Sequence, residues 1–459
     1  MQIIGTQQAS INADPIVIDD ESRFQHTYVI GQTGTGKSTF LKQAFLQDVH
    51  AGHGACYFDF HGQEAPWRLE HIPPERLQDV RYFDPLHPSH VMGYNILDGV
   101  HPDDYSTFTD EIVASLRHIH SASWGARMDD ILTNAIRPLF DVPAESKATM
   151  MGVVRMLNDP FYRTWVINHS SEKSVQEFWQ GEFARWGKMK QAEFVNSSLN
   201  KIRRFQSSPV LRRTFGQQKS SINFGSAIEN GKIIIVNLNN WRMGAVNAST
   251  MAALLFNRLV YEATHRPLPK EPDGSTSDVV KPFHAIIDEF HSIASTEAAE
   301  PFSGTRKFKI SLTVAHQYTD QLDRDVLDAI IGNVGTKIAF RIGGGDAHKL
   351  AANFGVPDPK QLSDQPDYDF IANCKAGRMV RSIRGQLCPP EWQTYGYGGS
   401  ILRRNQADFA RPVEDIEAEY DNWQNTRHYG KPGQPDKPVK PVQGKTVKKD
   451  KPEARPKGR

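Results

Sequence analysis

The chain has 459 residues, 39% hydrophobic and 23% charged, with a formal net charge of +1, which suits a soluble globular protein of two or three domains. No apolar run approaches the roughly 18 residues of a membrane span, and residues 1–5 do not begin a signal peptide. Cys56, Cys374 and Cys388 are far apart and form no Cys-x-x-Cys pair, so a reducing cytoplasm is expected and a thiolate zinc site is excluded.

Residues 1–25 read as an extended lead-in with a short strand at Pro15-Ile16-Val17-Ile18. Residues 26–30 are a short apolar strand, and residues 39–45 open a helix with Phe40, Leu41, Ala44 and Phe45 at helical spacing. Between them, Gly31-Gln32-Thr33-Gly34-Thr35-Gly36-Lys37-Ser38-Thr39 fits the phosphate-binding loop pattern. The glycines let successive backbone N–H groups turn toward an anion, and the helix N-terminus adds its unpaired amides. Lys37 is the expected ligand of the β- and γ-phosphates of ATP, and the Ser38 hydroxyl of Mg²⁺.

Residues 55–60 form a near-continuous apolar run of the kind found in buried parallel strands, and residues 80–83 read as another strand closed by Pro85. From about 103 to 215 the pattern becomes helical throughout, with Trp124, Trp165, Trp179 and Trp186 expected in the core of an all-helical insertion. Strands resume at residues 231–238, 284–289, 310–317 and 337–342, and a hairpin is expected over 369–382. The alternation predicts an α/β fold with a mostly parallel, helix-flanked sheet, whose ligands belong at the carboxyl ends of its strands.

The strand ending at Ile287 delivers Asp288 and Glu289. Asp288 is expected to hold Mg²⁺, and Glu289 to orient or deprotonate an attacking water. Gln317 ends the next strand, where an amide can touch the γ-phosphate or that water. Phosphoryl transfer also needs positive charge opposite Lys37; Arg306, supplied in trans, and Arg341 are the candidates.

Residues 431–459 carry ten Lys or Arg against three acids, which leaves the rest of the chain at −6. The body is therefore not a generally basic nucleic-acid binder. The Pro- and Lys-rich tail lacks the apolar surface to order itself and is expected to be disordered.

Taken in order, Gly31 to Thr39, Asp59-Phe60-His61-Gly62, Ile72-Pro73 with Arg76, Tyr82-Phe83-Asp84-Pro85, Ile287-Asp288-Glu289-Phe290, Arg306-Lys307-Phe308, Ala315-His316-Gln317, Gly332-Asn333-Val334-Gly335 and Phe340-Arg341 with Asp346-Ala347 resemble the HerA/FtsK-type motor ATPases, above all the TraG-like coupling proteins of type IV secretion and conjugation. The resemblance spans roughly residues 13–390. It implies a RecA-like P-loop NTPase domain in two parts, 1–102 and 216–400, around the insertion at 103–215. Beyond the reach of the resemblance, residues 401–430 are expected to form a C-terminal helix. The resemblance further implies a hexameric ring that moves DNA by ATP hydrolysis, with Gln317 as sensor and Arg306 as the arginine finger. Relaxase or secretion-machinery proteins are the implied partners. Such coupling proteins usually begin with transmembrane helices, and none is expected here, so an inner-membrane location would depend on partners. A HerA-like processing or phage-defence motor working with a nuclease, and an assembly ATPase that never touches DNA, are the alternative readings.

Overall fold

The computed structural model of the chain describes residues 1–7, 14–143, 146, 148–268, 280–376, 379–387 and 392–426. The basic tail at 431–459, the polar loop at 270–277, Cys388 and the hairpin tip at Gly377 lie outside the described residues.

The strands are β1 (Gln2–Gln7), β2 (Pro15–Ile18), β3 (Thr27–Ile30), β4 (Gly54–Asp59), β5 (Val80–Phe83), β6 (His90–Val91), β7 (Ile233–Asn237), β8 (Phe283–Ile287), β9 (Ile310–His316), β10 (Thr336–Ala339), β11 (Asp369–Ala376), β12 (Met379–Gln386) and β13 (Arg411–Pro412). One eleven-stranded sheet has the order β2-β1-β12-β11-β10-β3-β9-β8-β4-β7-β5. From β10 to β5 all pairings are parallel, and the other four strands extend the sheet antiparallel. This is a RecA-like P-loop NTPase architecture.

The central strands are apolar along their whole length because both faces of the sheet are covered. Every residue of β3, β4, β7 and β8 is buried. Side chains alternate between the faces: Tyr28, Ile30, Cys56 and Phe58 enter one core, and Val29, Ala55 and Tyr57 the other. The helix Lys37–His50 packs Phe40, Leu41, Ala44 and Phe45 onto the second face.

The first face carries the helix Ala245–Thr264 and, against it, the helical segment inserted between β6 and β7. Its helix Tyr105–Ile119 is tied to the sheet-covering helix by Asn257, whose Nδ2 donates to Ser115 Oγ at 3.0 Å and to the Glu111 carbonyl at 3.1 Å. Trp179 and Phe183 are buried, and Trp124, Trp165 and Trp186 pack on the same core as the sheet. The inserted helices therefore share their hydrophobic core with the ATPase-like sheet.

Two expectations change. Residues 2–7 form a strand, β1, paired with β2 on one side and with the remote β12 on the other. The C-terminal segment is two helices, Gly398–Phe409 and Val413–Asn425; between them Arg411–Pro412 pairs with β6. Pro412 lacks an N–H and disfavours helix in the residue before it. Among the described residues, no helix is long and apolar enough to cross a membrane.

Two buried histidines, His26 and His316, bond between the β3 and β9 segments. His26 Nδ1 accepts from the Leu312 N–H at 3.0 Å, and His316 Nε2 lies 2.7 Å from the Tyr28 hydroxyl. Burial pushes both imidazoles down to about 4, whereas in the unfolded chain each protonates near its ordinary value of about 6.5. Between those values the unfolded state binds more protons, so folding weakens as pH falls. Urea unfolding at pH 5 should show about 2 kcal/mol less stability per histidine than at pH 7.5. An unchanged transition would mean that these imidazoles are not held neutral.

Candidate functional site

The strand register builds the site. Ile30 pairs with His316, and Ile287 with Val314 and Phe58, so β9 stands between the strand that feeds the glycine loop and the strand that feeds the acids. The residues that follow, Gly31, Gln317, Asp288 and His61, consequently emerge together.

Gly34 and Gly36 have φ of +83° and +120°, values that favour glycine. The loop is closed by Thr35, whose Oγ1 donates to the Gln32 carbonyl at 2.7 Å, and its carbonyl accepts from the Tyr368 N–H at 2.8 Å. The Gln32 N–H donates to the Arg341 carbonyl at 2.9 Å. The helix that follows starts at Lys37 with no side-chain cap and no acid in its first turn. Its first N–H groups are thus left for an anion. Ser38 is exposed at the same turn.

Lys37 is buried, and its Nζ lies 3.3 Å from Asp288 Oδ1 and 3.6 Å from Glu289 Oε1. Glu289 has a left-handed backbone, φ +52°, an uncommon conformation for a side chain of this size. Gln317 Nε2 donates to Glu289 Oε1 at 2.8 Å, and Thr33 Oγ1 donates to Gln317 Oε1 at 3.3 Å. Gln317 thereby connects the glycine loop to the acidic pair.

Two histidines flank Glu289. His61 Nε2 is 3.5 Å from Oε1, and that contact raises the His61 pKa. His291 Nδ1 is 3.3 Å from Oε2 but is not aligned for a hydrogen bond, and burial keeps its pKa low. Glu289 Oε2 is consequently buried without a hydrogen-bond donor. Burial pushes the Asp288 carboxyl up against the pull of Lys37. For Glu289 burial acts in the same direction, but His61, Lys37 and Gln317 outweigh it and hold the group at about 2.

Asp59 scaffolds the third side. Its two oxygens accept from the N–H groups of His61, Gly62, Glu64 and Ala65 at 2.7–3.1 Å, which fixes the turn that presents His61. Sequence reasoning did not single out His61 or His291 as site residues. The rule that ligands gather at the carboxyl ends of parallel strands would have marked His61, two residues beyond β4.

Neither candidate arginine reaches this centre within the chain. Arg306 precedes β9, at the strand end opposite Gln317; it is exposed, and Nη2 lies 3.5 Å from Glu21 Oε2. Arg341 turns its guanidinium to Asp367 at 2.7 Å and to the Gln365 carbonyl at 3.2 Å.

A glycine-rich turn feeding a helix, with an acidic pair two strands away in the sheet, defines a P-loop NTPase fold. No protein-family model and no curated protein sequence matches the chain. Solved structures do share its fold. The bacterial conjugative coupling protein TrwBdeltaN70 aligns with TM-score 0.61 and 14% identity over 85% of this chain and 90% of that one. TrwB in complex with ADP and Mg²⁺ gives 0.56 and 14% over 85% and 92%. VirB4 of Thermoanaerobacter pseudethanolicus gives 0.56 and 12% over 85% and 97%.

The loop geometry sets a testable order of tolerance. A Cβ on Gly36 would meet Phe340, Tyr368 and Leu387 at 3.1–3.3 Å, whereas a Cβ on Gly34 would meet nothing within 4 Å. Gly34→Ala should cost about 1 kcal/mol from backbone strain alone, and Gly36→Ala about 3 kcal/mol. Thermal unfolding checks the order; equal melting temperatures would contradict the crowding at Gly36.

Proposed function

We propose that this chain is an ATP-hydrolysing, DNA-translocating motor of the coupling-protein type, assembled as a hexameric ring and working in conjugative DNA transfer or type IV secretion. The observation that carries the reading is the buried contact of Lys37 with Asp288 and Glu289, beside an uncapped helix start.

The residues fit ATP and Mg²⁺. The turn from Gly31 to Thr39 offers backbone amides and Lys37 to phosphates. Ser38 and Asp288 would hold the metal, and the donor-free Oε2 of Glu289 is free to accept from a water. Bound Mg²⁺ supplies charge neutralisation at the β- and γ-phosphates. When Lys37 turns to a phosphate, Glu289 loses one of the charges that hold its pKa down and becomes a better proton acceptor. Gln317, bonded to both Thr33 and Glu289, is placed to report the occupancy of the site. TrwB has been captured with ADP and Mg²⁺, which supports the same cofactors here. Reaching a membrane, a relaxase or a secretion channel would fall to partner proteins.

Lys37→Ala should abolish binding of a fluorescent ATP analogue. Glu289→Gln should keep binding within a few fold and lose roughly 10²–10⁴ in turnover. Wild-type hydrolysis should rise with DNA, and that stimulation should fall steeply with salt. Wild-type turnover in Glu289→Gln would remove Glu289 from the chemistry, and hydrolysis indifferent to DNA would favour an assembly ATPase.

Arg306 is exposed at the strand end remote from its own centre, which leaves it available to a neighbour's. Mixing Arg306→Ala subunits with Lys37→Ala subunits should restore part of the activity that each lacks. Mixed rings with no recovery would count against the finger.

A further inference from the structure

At the opposite end of β8 from the acidic pair lies a second cluster of ligand-type side chains. Asp48 ends the helix that begins at Lys37, His53 stands in the turn before β4, and His284 is in β8. His53 Nδ1 is 3.1 Å from His284 Nε2; Asp48 Oδ1 is 3.6 Å from that His284 nitrogen and 3.9 Å from the His53 nitrogen. An ion at the roughly 2.0–2.1 Å that zinc takes to nitrogen and oxygen fits the centre of a triangle with these edges.

We propose that Asp48, His53 and His284 form a binding site for a zinc-class divalent cation, independent of the nucleotide site. Two imidazole nitrogens and one carboxylate oxygen select zinc, cobalt or nickel over magnesium and calcium. Three protein ligands leave a fourth position, and the half-open His53 side, 18% exposed, gives water access to it.

The surroundings support the assignment. His284 Nδ1 lies 2.6 Å from Ser311 Oγ, and Phe24 stacks parallel to the imidazole. A hydrogen bond at the far ring nitrogen is the usual way a metal-binding histidine is oriented. Asp48 Oδ1, the oxygen nearest both histidines, is buried without an aligned hydrogen-bond donor, although Arg23 Nη1 is 2.6 Å away. Arg23 Nη2 donates to the other oxygen, Oδ2, at 2.8 Å, so Arg23 can keep that contact while Oδ1 binds a cation. The site would brace the foot of the Lys37 helix against the foot of the strand that carries Asp288.

The test uses the full, untagged chain after EDTA dialysis. Titration with Zn²⁺, and with Co²⁺ followed by visible absorption, should load one equivalent with the spectrum of a four-coordinate site, and excess Mg²⁺ should not compete. His53→Ala, at the least buried ligand, should fold like wild type by circular dichroism and bind that equivalent roughly 100-fold more weakly or not at all. Zn²⁺ should raise the wild-type melting temperature and leave that of the variant unmoved. Failure of the wild type to bind either metal, or the same stoichiometry and spectrum in His53→Ala, would overturn the proposal.

Discussion

An ammonium group taken out of water between two carboxylates is the constraint on which the rest of this structure turns. Desolvating three charges is costly, and mutual attraction offsets that only when the geometry is tight and the remaining polar atoms are satisfied. Lys37 neutralises one of the two negative charges, and His61 and Gln317 blunt the second. The cluster is balanced while Lys37 stays. Once Lys37 turns to an anion, Asp288 and Glu289 face each other without their counter-charge. A divalent cation arriving with that anion would restore the balance.

The sheet order exists to make that contact. With β9 inserted between β3 and β8, a lysine one residue into the helix can span the width of one strand and meet the acids beyond it. The same insertion sets Gln317 between the glycine loop and the acids, bonded to Thr33 and Glu289. Parallel pairing brings all the carboxyl ends to one edge, and the apolar runs that permit such pairing are covered on one face by the Lys37 helix and on the other by the helix Ala245–Thr264 with the inserted helices packed against it. The helical segment thus stabilises the sheet, whatever else it contacts.

The legible parts of the sequence are those where a local pattern carries the physics. Gly31 to Ser38 is a local motif, and the apolar runs before Asp288 and Gln317 are buried strands whose ends could be read without knowing their neighbours. What resisted reading depends on partners remote in the chain. β1 has only Ile4 as a fully buried large apolar residue, and its strand character comes from pairing with β2 on one side and with the remote β12 on the other. His61 becomes a site residue only because β4 neighbours β8. His291 does so because the left-handed turn at Glu289 folds the chain back past the carboxylate. The break at Pro412 is written locally, in a proline that lacks an N–H, but the pairing of Arg411–Pro412 with β6 is not.

Gln317 shows how occupancy of such a site could travel. Its amide faces two ways, donating to Glu289 and accepting from Thr33 of the glycine loop. An anion in the loop would compete for Thr33, and a water on Glu289 would compete for the carboxylate, so each would weaken one of the two bonds that hold the amide. Gln317 continues directly from β9, and its own N–H donates to Gln321 Oε1 at 2.8 Å. Gln321 in turn holds the start of the short turn at residues 319–321, where Thr319 is bonded to Asp346 at the head of the helix Gly344–Phe354. A change at the amide therefore has a hydrogen-bonded route to an element outside the site. That route needs no hinge: it runs through side chains whose partners alternate between the protein and the bound group.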